Sequence, residues 1–210
     1  MPDDSPTQFR LTINEMARLT KTIRRHIVEI TAGAGSGHPG GSLSSVELLT
    51  ALYFDVMNHD PSNTDLPTRD RFVLSKGHCT PVLYSVLAEA GYFPVEELAT
   101  FRKLNSRLQG HCHTITPGVE HCAGSLGQGL SIGIGMALAG RLDHQDYTVF
   151  VLLGDGECDE GQVWEAAMSA SHFRLDNVVA IIDRNRIQND RFTDQVMGLE
   201  PLGEKWKSFG

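Results

Sequence analysis

The sequence has no excess of positive charge: its 210 residues include 18 lysines and arginines against 26 aspartates and glutamates, for a net charge of −8. Proteins that bind nucleic acid through its phosphates need a basic surface, so this balance argues against a nucleic-acid partner. The basic residues are scattered and often have acidic neighbours, which argues equally against a patch for membrane surfaces. We therefore expect neither nucleic acid nor membrane among the partners of this chain.

Long apolar runs are also missing. The longest candidate, residues 126–140, is too short to span a bilayer and is interrupted by glycines. The opening residues, Met1-Pro2-Asp3-Asp4, have neither the cationic region nor the apolar core of a secretory signal. Together with a content of only four cysteines, these features predict a cytoplasmic protein with reduced thiols.

Glycine, by contrast, is plentiful: there are 21 glycines in 210 residues, against about 7% in average proteins. They cluster in residues 33–41, 124–140 and 154–161, and apolar periodic segments border each cluster closely. Glycine lets a backbone approach a ligand or another backbone, so these clusters mark candidate sites or close packing rather than linkers. The length suits one large domain, and we expect residues 1–210 to form a single one.

Apolar periodicity and turn residues predict helices that alternate with strands. The capping-box pattern Ser44-Ser45-Val46-Glu47 is predicted to open a helix that runs to Met57. Further helices are predicted at residues 7–32, 79–90, 94–104, 124–142, 160–173 and 201–208, strands at 71–75, 147–153 and 177–182, and loops at 32–41 and 58–70. This alternation predicts an α/β fold with a largely parallel sheet.

The most informative stretch is Gly154-Asp155-Gly156-Glu157, at the end of the second predicted strand. Asn185 follows the next strand, one helix later. Ligands of open parallel sheets bind at the carboxyl ends of the strands, so Asp155 and Asn185 are expected to converge. Carboxylate and amide oxygens beside glycine turns suit Mg²⁺ or Ca²⁺ that bridges a diphosphate.

Two other interpretations of this stretch are weaker. A dinucleotide fingerprint would begin at Gly154 and Gly156, but its third glycine position is Asp159, and the next glycine comes only at Gly161. An acidic turn would also repel a diphosphate unless a cation lay between them. A tight turn with a solvated aspartate explains an isolated Gly-Asp-Gly, but it does not explain an amide at the next strand end.

Three histidines lie in predicted loops beside glycine: His38, His78 and His111. Histidine at such positions is a candidate for proton handling or for contact with an anion. Taken singly, each fits an ordinary surface or hydrogen-bonded residue, whereas three together favour a pocket.

A zinc site is the alternative role for this region, because residues 111–113 and 121–122 read His-Cys-His and His-Cys. No C-x-x-C pair is present, however, and the adjacent side chains of His111 and Cys112 are awkward ligands for one ion. The sequence therefore disfavours structural zinc.

Four runs of the sequence resemble transketolases: SGHPGGSLSSVELLTALY (36–53), FVLSKGHCTPVLYSVLAEAGYF (72–93), PGVEHCAGSLGQGLSIGIGMALA (117–139) and GDGECDEGQVWEAA (154–167). The resemblance is collinear from about residue 9 to residue 210, and it is greatest to the separate amino-terminal subunit of transketolases that are split into two chains. It implies the thiamine diphosphate-binding fold of the diphosphate-binding (PP) type, a parallel β-sheet flanked by helices on both faces.

The resemblance also implies roles for individual residues. The divalent cation would be held by Asp155, Asn185 and the backbone carbonyl of Ile187. Catalytic roles around the reacting carbon and the sugar hydroxyls would fall to His38, His78 and His111. The contacts of thiamine diphosphate would be His78, Gly124, Leu126, Gly154, Asp155, Gly156, Glu157, Asn185 and Ile187.

The implied activity is the transfer of a two-carbon ketol group from a ketose, or a ketose phosphate, to an aldose acceptor. Family enzymes take the glutamate that activates the cofactor from a pyrimidine-binding domain, which has no counterpart here. The resemblance therefore implies a chain that is inactive alone and works with a carboxy-terminal transketolase subunit, in an α2β2 assembly. Related subunits continue beyond the position of Gly210, so the end of the domain is expected to be missing.

Departures from the family pattern occur at Cys112, residues 121–123, Arg186 and Asn189. They border the expected substrate channel and leave the sugar donor and acceptor open, with a modified or acyclic sugar as plausible as a pentose phosphate. Two alternatives to ketol transfer also stay open. One is another thiamine diphosphate reaction, such as decarboxylative condensation or 2-oxo acid dehydrogenation. The other is a non-catalytic, cofactor-binding assembly subunit.

Overall fold

The computed structural model of the chain describes residues 10–121, 124–189 and 191–210. The described residues form two compact units: residues up to 70 together with 78–121 make the first, and residues 71–77 together with those from 124 onward make the second. The expectation of a single domain over residues 1–210 stays a prediction. The opening residues 1–4 and the predicted start of the first helix, residues 7–9, lie outside the described residues, as do Cys122 and Ala123.

The first unit is helical. It contains α1 (Ile13–Ala34), α2 (Pro39–Ser44), α3 (Val46–Ala51), a π-helical turn (Leu52–Val56), α4 (Thr80–Glu89) and a 3₁₀ helix (Val95–Thr100). Thr12 and Glu15 form a reciprocal capping box that starts α1. Ile23, Ile27 and Ile30 recur at helical spacing and are buried, on a helix that packs against α4.

The second unit contains the sheet. Its elements are β1 (Arg71–Leu74), α5 (Gly129–Leu142), β2 (Val149–Gly154), a 3₁₀ helix (Gly156–Asp159), α6 (Gly161–His172), β3 (Val178–Asp183), β4 (Ile187–Gln188), β5 (Arg191–Phe192), α7 (Thr193–Val196) and α8 (Leu202–Lys207). The strand order is β1-β2-β3, and both pairings are parallel. This arrangement confirms the predicted α/β class with a parallel sheet and flanking helices.

The central strand β2 is buried from Val149 to Leu153, as expected of a parallel strand that is covered on both faces. Helix α5 packs against it at a glycine: a Cβ on Gly133 would lie 2.5 Å from Cγ2 of Val151. Gly133 therefore serves close helix–sheet packing, one of the interpretations that the sequence left open. The pairing of Gly154 with Asp183 brings the ends of β2 and β3 level.

Two predictions about the first unit's helices are wrong. The capping box predicted at Ser44 to Glu47 does not start α3: Ser44 is the last residue of α2, and Ser45, which precedes α3, makes no side-chain capping hydrogen bond. The predicted helix at 94–104 is only the 3₁₀ helix Val95–Thr100, since Arg102 and Asn105 take left-handed φ values of 58° and 64° and turn the chain back.

Two glycine-rich segments were also predicted with the wrong boundaries. The loop at 32–41 shrinks to residues 35–38, because α1 continues to Ala34 and Pro39 begins α2 with a φ already suited to a helix. The helix predicted from Gly124 begins instead at Gly129. Gly127 has a φ of 80°, which a continuous right-handed helix does not allow.

Within the ranges that the structure describes, no helix combines the length and the apolar character needed to cross a membrane.

Candidate cation and cofactor site

Asp155 follows the last residue of β2 and is 2% exposed. Its carboxylate is oriented by two backbone groups: the N–H of Gly156 donates to Oδ1 at 2.9 Å, and the N–H of Arg186 donates to Oδ2 at 2.6 Å. The backbone N–H of Asp155 donates in turn to the Asp183 carbonyl at 3.2 Å. The turn after β2 is thus hydrogen-bonded directly to the end of β3 and to the segment that follows it.

Asn185 and Ile187 belong to that second segment. The Ile187 N–H donates to Asn185 Oδ1 at 2.9 Å, which closes a local turn. Arg186, between them, has a left-handed φ of 65°, uncommon for a residue other than glycine. Its N–H donates to Asp155, so Asp155 contacts the segment that carries Asn185 and Ile187. The convergence of the Asp155 and Asn185 side chains on one cation stays a prediction.

The carboxylate of Glu157 joins three parts of the second unit. It is 3% exposed and accepts a short hydrogen bond from Ser75 Oγ, together with the N–H groups of Gly127 and Gly154, each at 2.9 Å. Burial raises the pKa of Glu157, and the hydrogen bonds and the charge of Lys76 oppose that shift. The resemblance implied that Glu157 contacts thiamine diphosphate; in the structure its side chain is hydrogen-bonded to Ser75, Gly127 and Gly154.

A buried ion pair lies at the same sheet edge. Lys76 and Asp183 are 1% and 6% exposed, and Lys76 Nζ donates to Asp183 Oδ2. Lys76 follows β1 and Asp183 ends β3, so the pair spans the two outer strands across the end of β2. Neither residue was among the predicted site residues, although the strand-end argument that selected Asp155 applies equally to both.

Gly156 and Gln188 pack closely beside Asp155. A Cβ on Gly156 would lie 2.8 Å from Cγ of Gln188, so this position excludes a side chain. The Oε1 atom of Gln188 is buried and accepts no hydrogen bond from the described residues. An acceptor that stays unsatisfied inside a protein is uncommon and points to a partner outside the polypeptide, such as a water or an ion.

Gly124 and Leu126 lie in the loop before α5. Gly124 is exposed and has open space where a side chain would begin, and Leu126 is half-buried. The next residue, Gly127, donates to Glu157, which connects this loop to the turn after β2. The contacts of Gly124 and Leu126 with thiamine diphosphate stay predictions.

The donor set of this site fits a divalent cation. Each Asp155 oxygen accepts one N–H, and carboxylate and amide oxygens each have a second lone pair that can face a metal. Carboxylate, amide and carbonyl oxygens are the ligands that Mg²⁺ and Ca²⁺ prefer. One of the two backbone N–H groups expected near the diphosphate, those of Gly156 and Glu157, is already used, however, because the Gly156 N–H donates to Asp155 Oδ1.

The predicted histidines lie in the first unit. His38 immediately precedes α2, and its ring stands edge-on to His78, with 5.2 Å between the ring centroids. Burial, followed by the charges of Arg102 and His111, lowers the pKa of His38. The structure therefore brings His38 and His78 into contact and places His111 near enough to act on His38 electrostatically.

Cys112, one of the residues that suggested zinc, has another partner. Cys112 is buried and its Sγ donates to the His121 carbonyl at 3.5 Å. In the described ranges, which omit Cys122, no group of three or more histidine, cysteine, aspartate or glutamate side chains is placed to hold a metal. The candidate cation site has a different composition, with one carboxylate, one amide and one backbone carbonyl.

His38 is expected to titrate below the ordinary histidine value of 6.5. Its neutral form is favoured in the folded chain, so the unfolded chain binds the proton more readily. The contribution of His38 to stability is then complete above pH 6.5 and is lost as the pH falls towards the lower folded value. An NMR titration of the ring C–H signals, assigned with a His38→Gln variant, measures this midpoint; a value at or above 6.5 would contradict the expectation.

The sequence of the chain is similar to sequences of known proteins. Residues 15–210 match the family model described as the thiamine diphosphate binding domain of transketolase. The chain is 48% identical over 197 residues to the 6-deoxy-6-sulfo-D-fructose transketolase subunit of Clostridium sp. (strain MSTE9), covering 93% of this chain and 72% of that protein. It is also 48% identical over 187 residues to an apulose-4-phosphate transketolase subunit of Phocaeicola vulgatus, covering 89% of this chain and 66% of the relative.

The fold agrees with solved structures. The transketolase of Campylobacter jejuni superposes with a TM-score of 0.90 at 32% identity, covering 95% of this chain and 33% of that one. The chain thus spans about two thirds to three quarters of the subunit-type relatives, and about a third of the solved transketolase chain.

Proposed function

The chain belongs to the transketolase family, as its thiamine diphosphate-binding domain, and we propose that it is one subunit of an enzyme that transfers a two-carbon ketol group from a ketose to an aldose. Its likeness to proteins named as transketolase subunits supports this assignment. The observation that carries the proposal is the orientation of Asp155 by the N–H groups of Gly156 and Arg186 at adjacent strand ends.

Apart from His78, the proposed cofactor and cation contacts are residues of the second unit. Asp155, Asn185 and the carbonyl of Ile187 would hold Mg²⁺ or Ca²⁺, whose charge neutralises the diphosphate. Gly124, Leu126, Gly154, Gly156 and Glu157 would line the cofactor, with His78 as a further side-chain donor. When bound, thiamine diphosphate supplies the electron sink that carbon–carbon bond cleavage requires.

The histidines of the first unit would handle the oxygens of the sugar. A neutral imidazole accepts a hydrogen bond from a hydroxyl through one nitrogen and donates through the other. The lowered pKa of His38 favours the neutral form of its imidazole at neutral pH. We assign to His38, His78 and His111 the binding of sugar hydroxyls and the movement of protons on and off them.

We place the subunit in the cytoplasm, in an α2β2 assembly with a carboxy-terminal subunit that carries the pyrimidine-binding domain. The word "subunit" in the names of both relatives supports a partner chain. Those names also mention a sulfonated ketose and a phosphorylated ketose, so we propose a donor that carries a terminal anionic group. Donors with and without such a group, assayed at equal concentrations against one aldehyde acceptor, test this choice.

The isolated chain is expected to show no ketol transfer, and addition of the partner chain should restore it. The physical reason is that activation of the cofactor is assigned to a residue outside this chain. The measurement is product formation from a ketose and an aldehyde, with thiamine diphosphate and Mg²⁺ present throughout. A mixture that contains Asp155→Ala serves as the inactive control. If the isolated chain proves as active as the mixture, the two-chain assignment is wrong.

A further inference from the structure

Arg102 connects two loops of the first unit that carry histidines. Its Nη1 donates a short hydrogen bond to Ser36 Oγ, two residues before His38. Its guanidinium lies over the backbone of Gly110, the residue before His111: a Cβ on Gly110 would lie 2.6 Å from Nε and 2.7 Å from Cζ. Both contacts depend on one side chain.

The backbone around Arg102 is built for this placement. Arg102 has a left-handed φ of 58°, a conformation that costs an ordinary side chain energy and persists only when its surroundings hold it. The Arg102 N–H donates to the Leu108 carbonyl at 2.8 Å, which closes the loop between the 3₁₀ helix and Gly110. The left-handed conformation of Arg102 is thus compatible with a guanidinium that packs on Gly110, where any side chain would collide with it.

The guanidinium also shares a pocket with one histidine and influences another. Arg102, Gln109 and His111 line a surface pocket of about 560 Å³, which Ala34, Ser36 and Gly110 complete. The charges of Arg102 and His111 both act on His38, and the ring of His78 contacts it. The Nε atom of Arg102 is buried and makes no hydrogen bond among the described residues, so packing on Gly110, rather than a full set of hydrogen bonds, fixes the side chain.

We propose that Arg102 is a positioning residue that joins the loops of His38 and His111 and so fixes the geometry of the histidine cluster. This inference rests on the proposed function, which gives those histidines their contact with the sugar. Arg102 itself need not touch the substrate. Its two anchor points are the Ser36 hydroxyl and the bare backbone of Gly110.

The first test uses the isolated 210-residue chain and requires no activity. In Arg102→Gln, the ring signals of His38 and His111 should both move, and the titration midpoint of His38 should rise because a neighbouring cation is gone. Arg102→Lys keeps the charge but lacks the planar fork, so it should keep the low midpoint while still moving the ring signals. The matched control is Lys103→Gln, which removes an exposed charge from the next residue and should leave both histidines unchanged.

The second test uses the two-chain enzyme. Arg102→Gln should lower kcat/KM by about tenfold to a hundredfold, the usual consequence of misplacing groups that hold a substrate. Gly110→Ala should reproduce this loss, because its methyl group occupies the place of the guanidinium. The double variant should be no worse than either single one.

The proposal is overturned if Arg102→Gln leaves both histidine signals where they are, or if its kcat/KM equals that of Lys103→Gln. Additive losses in the Arg102/Gly110 double variant would also overturn it, as would an Arg102→Gln chain that loses activity only because it unfolds. The thermal shift produced by thiamine diphosphate and Mg²⁺ separates the two proposals. If the unmodified chain shows no such shift, the proposed function is refuted. The NMR signals of His38 and His111 test the role of Arg102 independently.

Discussion

Replacement of Lys76 by methionine is expected to lower the free energy of unfolding by about 3–5 kcal/mol, the usual effect of removing one partner from a buried ion pair. Lys76 and Asp183 are 1% and 6% exposed, so the Asp183 carboxylate has little access to water once the Lys76 ammonium is removed. Denaturant unfolding of the isolated chain measures the loss. The change also removes the link between the ends of β1 and β3, so affinity for the cofactor should fall together with stability.

Lys207 provides the matched control for this experiment. It pairs with Glu204 on α8, and the two side chains are 75% and 67% exposed. Exposed pairs of this kind contribute only about 0–1 kcal/mol, so Lys207→Met should be almost neutral. A second variant, Lys76→Met combined with Asp183→Leu, should recover much of the loss because it removes the stranded charge. Equal costs for Lys76→Met and Lys207→Met would show that the buried pair has no special importance.

The second large effect is expected at Asp155. Thiamine diphosphate and Mg²⁺, at about a hundred times their dissociation constant, should add roughly 2.7 kcal/mol to the stability of the folded chain. Asp155→Ala should abolish this gain, because it removes the carboxylate that is held between the Gly156 and Arg186 N–H groups. Thermal unfolding with and without ligand gives the comparison, and ketol transfer by the two-chain enzyme should disappear in the same variant.

Asp159 is the natural control for Asp155. It lies four residues further along the same turn but is exposed, and no role in the site is assigned to it. Asp159→Ala should therefore keep the full ligand-dependent shift. A shift that survives in Asp155→Ala would mean that this turn holds no cation, and that its aspartate is only a structural residue.

The central part of the site could be predicted from the sequence because it depends on local rules. A polar residue after each of two parallel strands marks the same sheet edge, and the pairing of Gly154 with Asp183 brings the two segments level. The prediction needed only strand positions and the parallel sense that an intervening helix imposes. The roles of Asp155, Asn185 and Ile187 as cation ligands stay predictions until a ligand is measured.

The pairing of the supporting residues could not be predicted from the sequence. Lys76 and Asp183 are 107 residues apart, and their pairing depends on β1 and β3 flanking β2, an order that periodicity does not reveal. The same limit applies to Glu157, whose carboxylate reaches both Ser75 and Gly127. Local propensity also misplaced the helix at 94–104, because the left-handed turn at Arg102 is stabilised by contacts with Ser36 and Gly110, distant in sequence.

A count of bound cations tests most directly whether Asp155 and Asn185 hold a metal ion. Mn²⁺ substitutes for Mg²⁺ and is visible by electron paramagnetic resonance, so titration of the chain with Mn²⁺ in the presence of thiamine diphosphate reports the site itself. We expect a single tightly bound Mn²⁺ per chain, lost in both Asp155→Ala and Asn185→Ala and retained in Asp159→Ala. Retention of that ion in Asp155→Ala and Asn185→Ala would contradict this expectation.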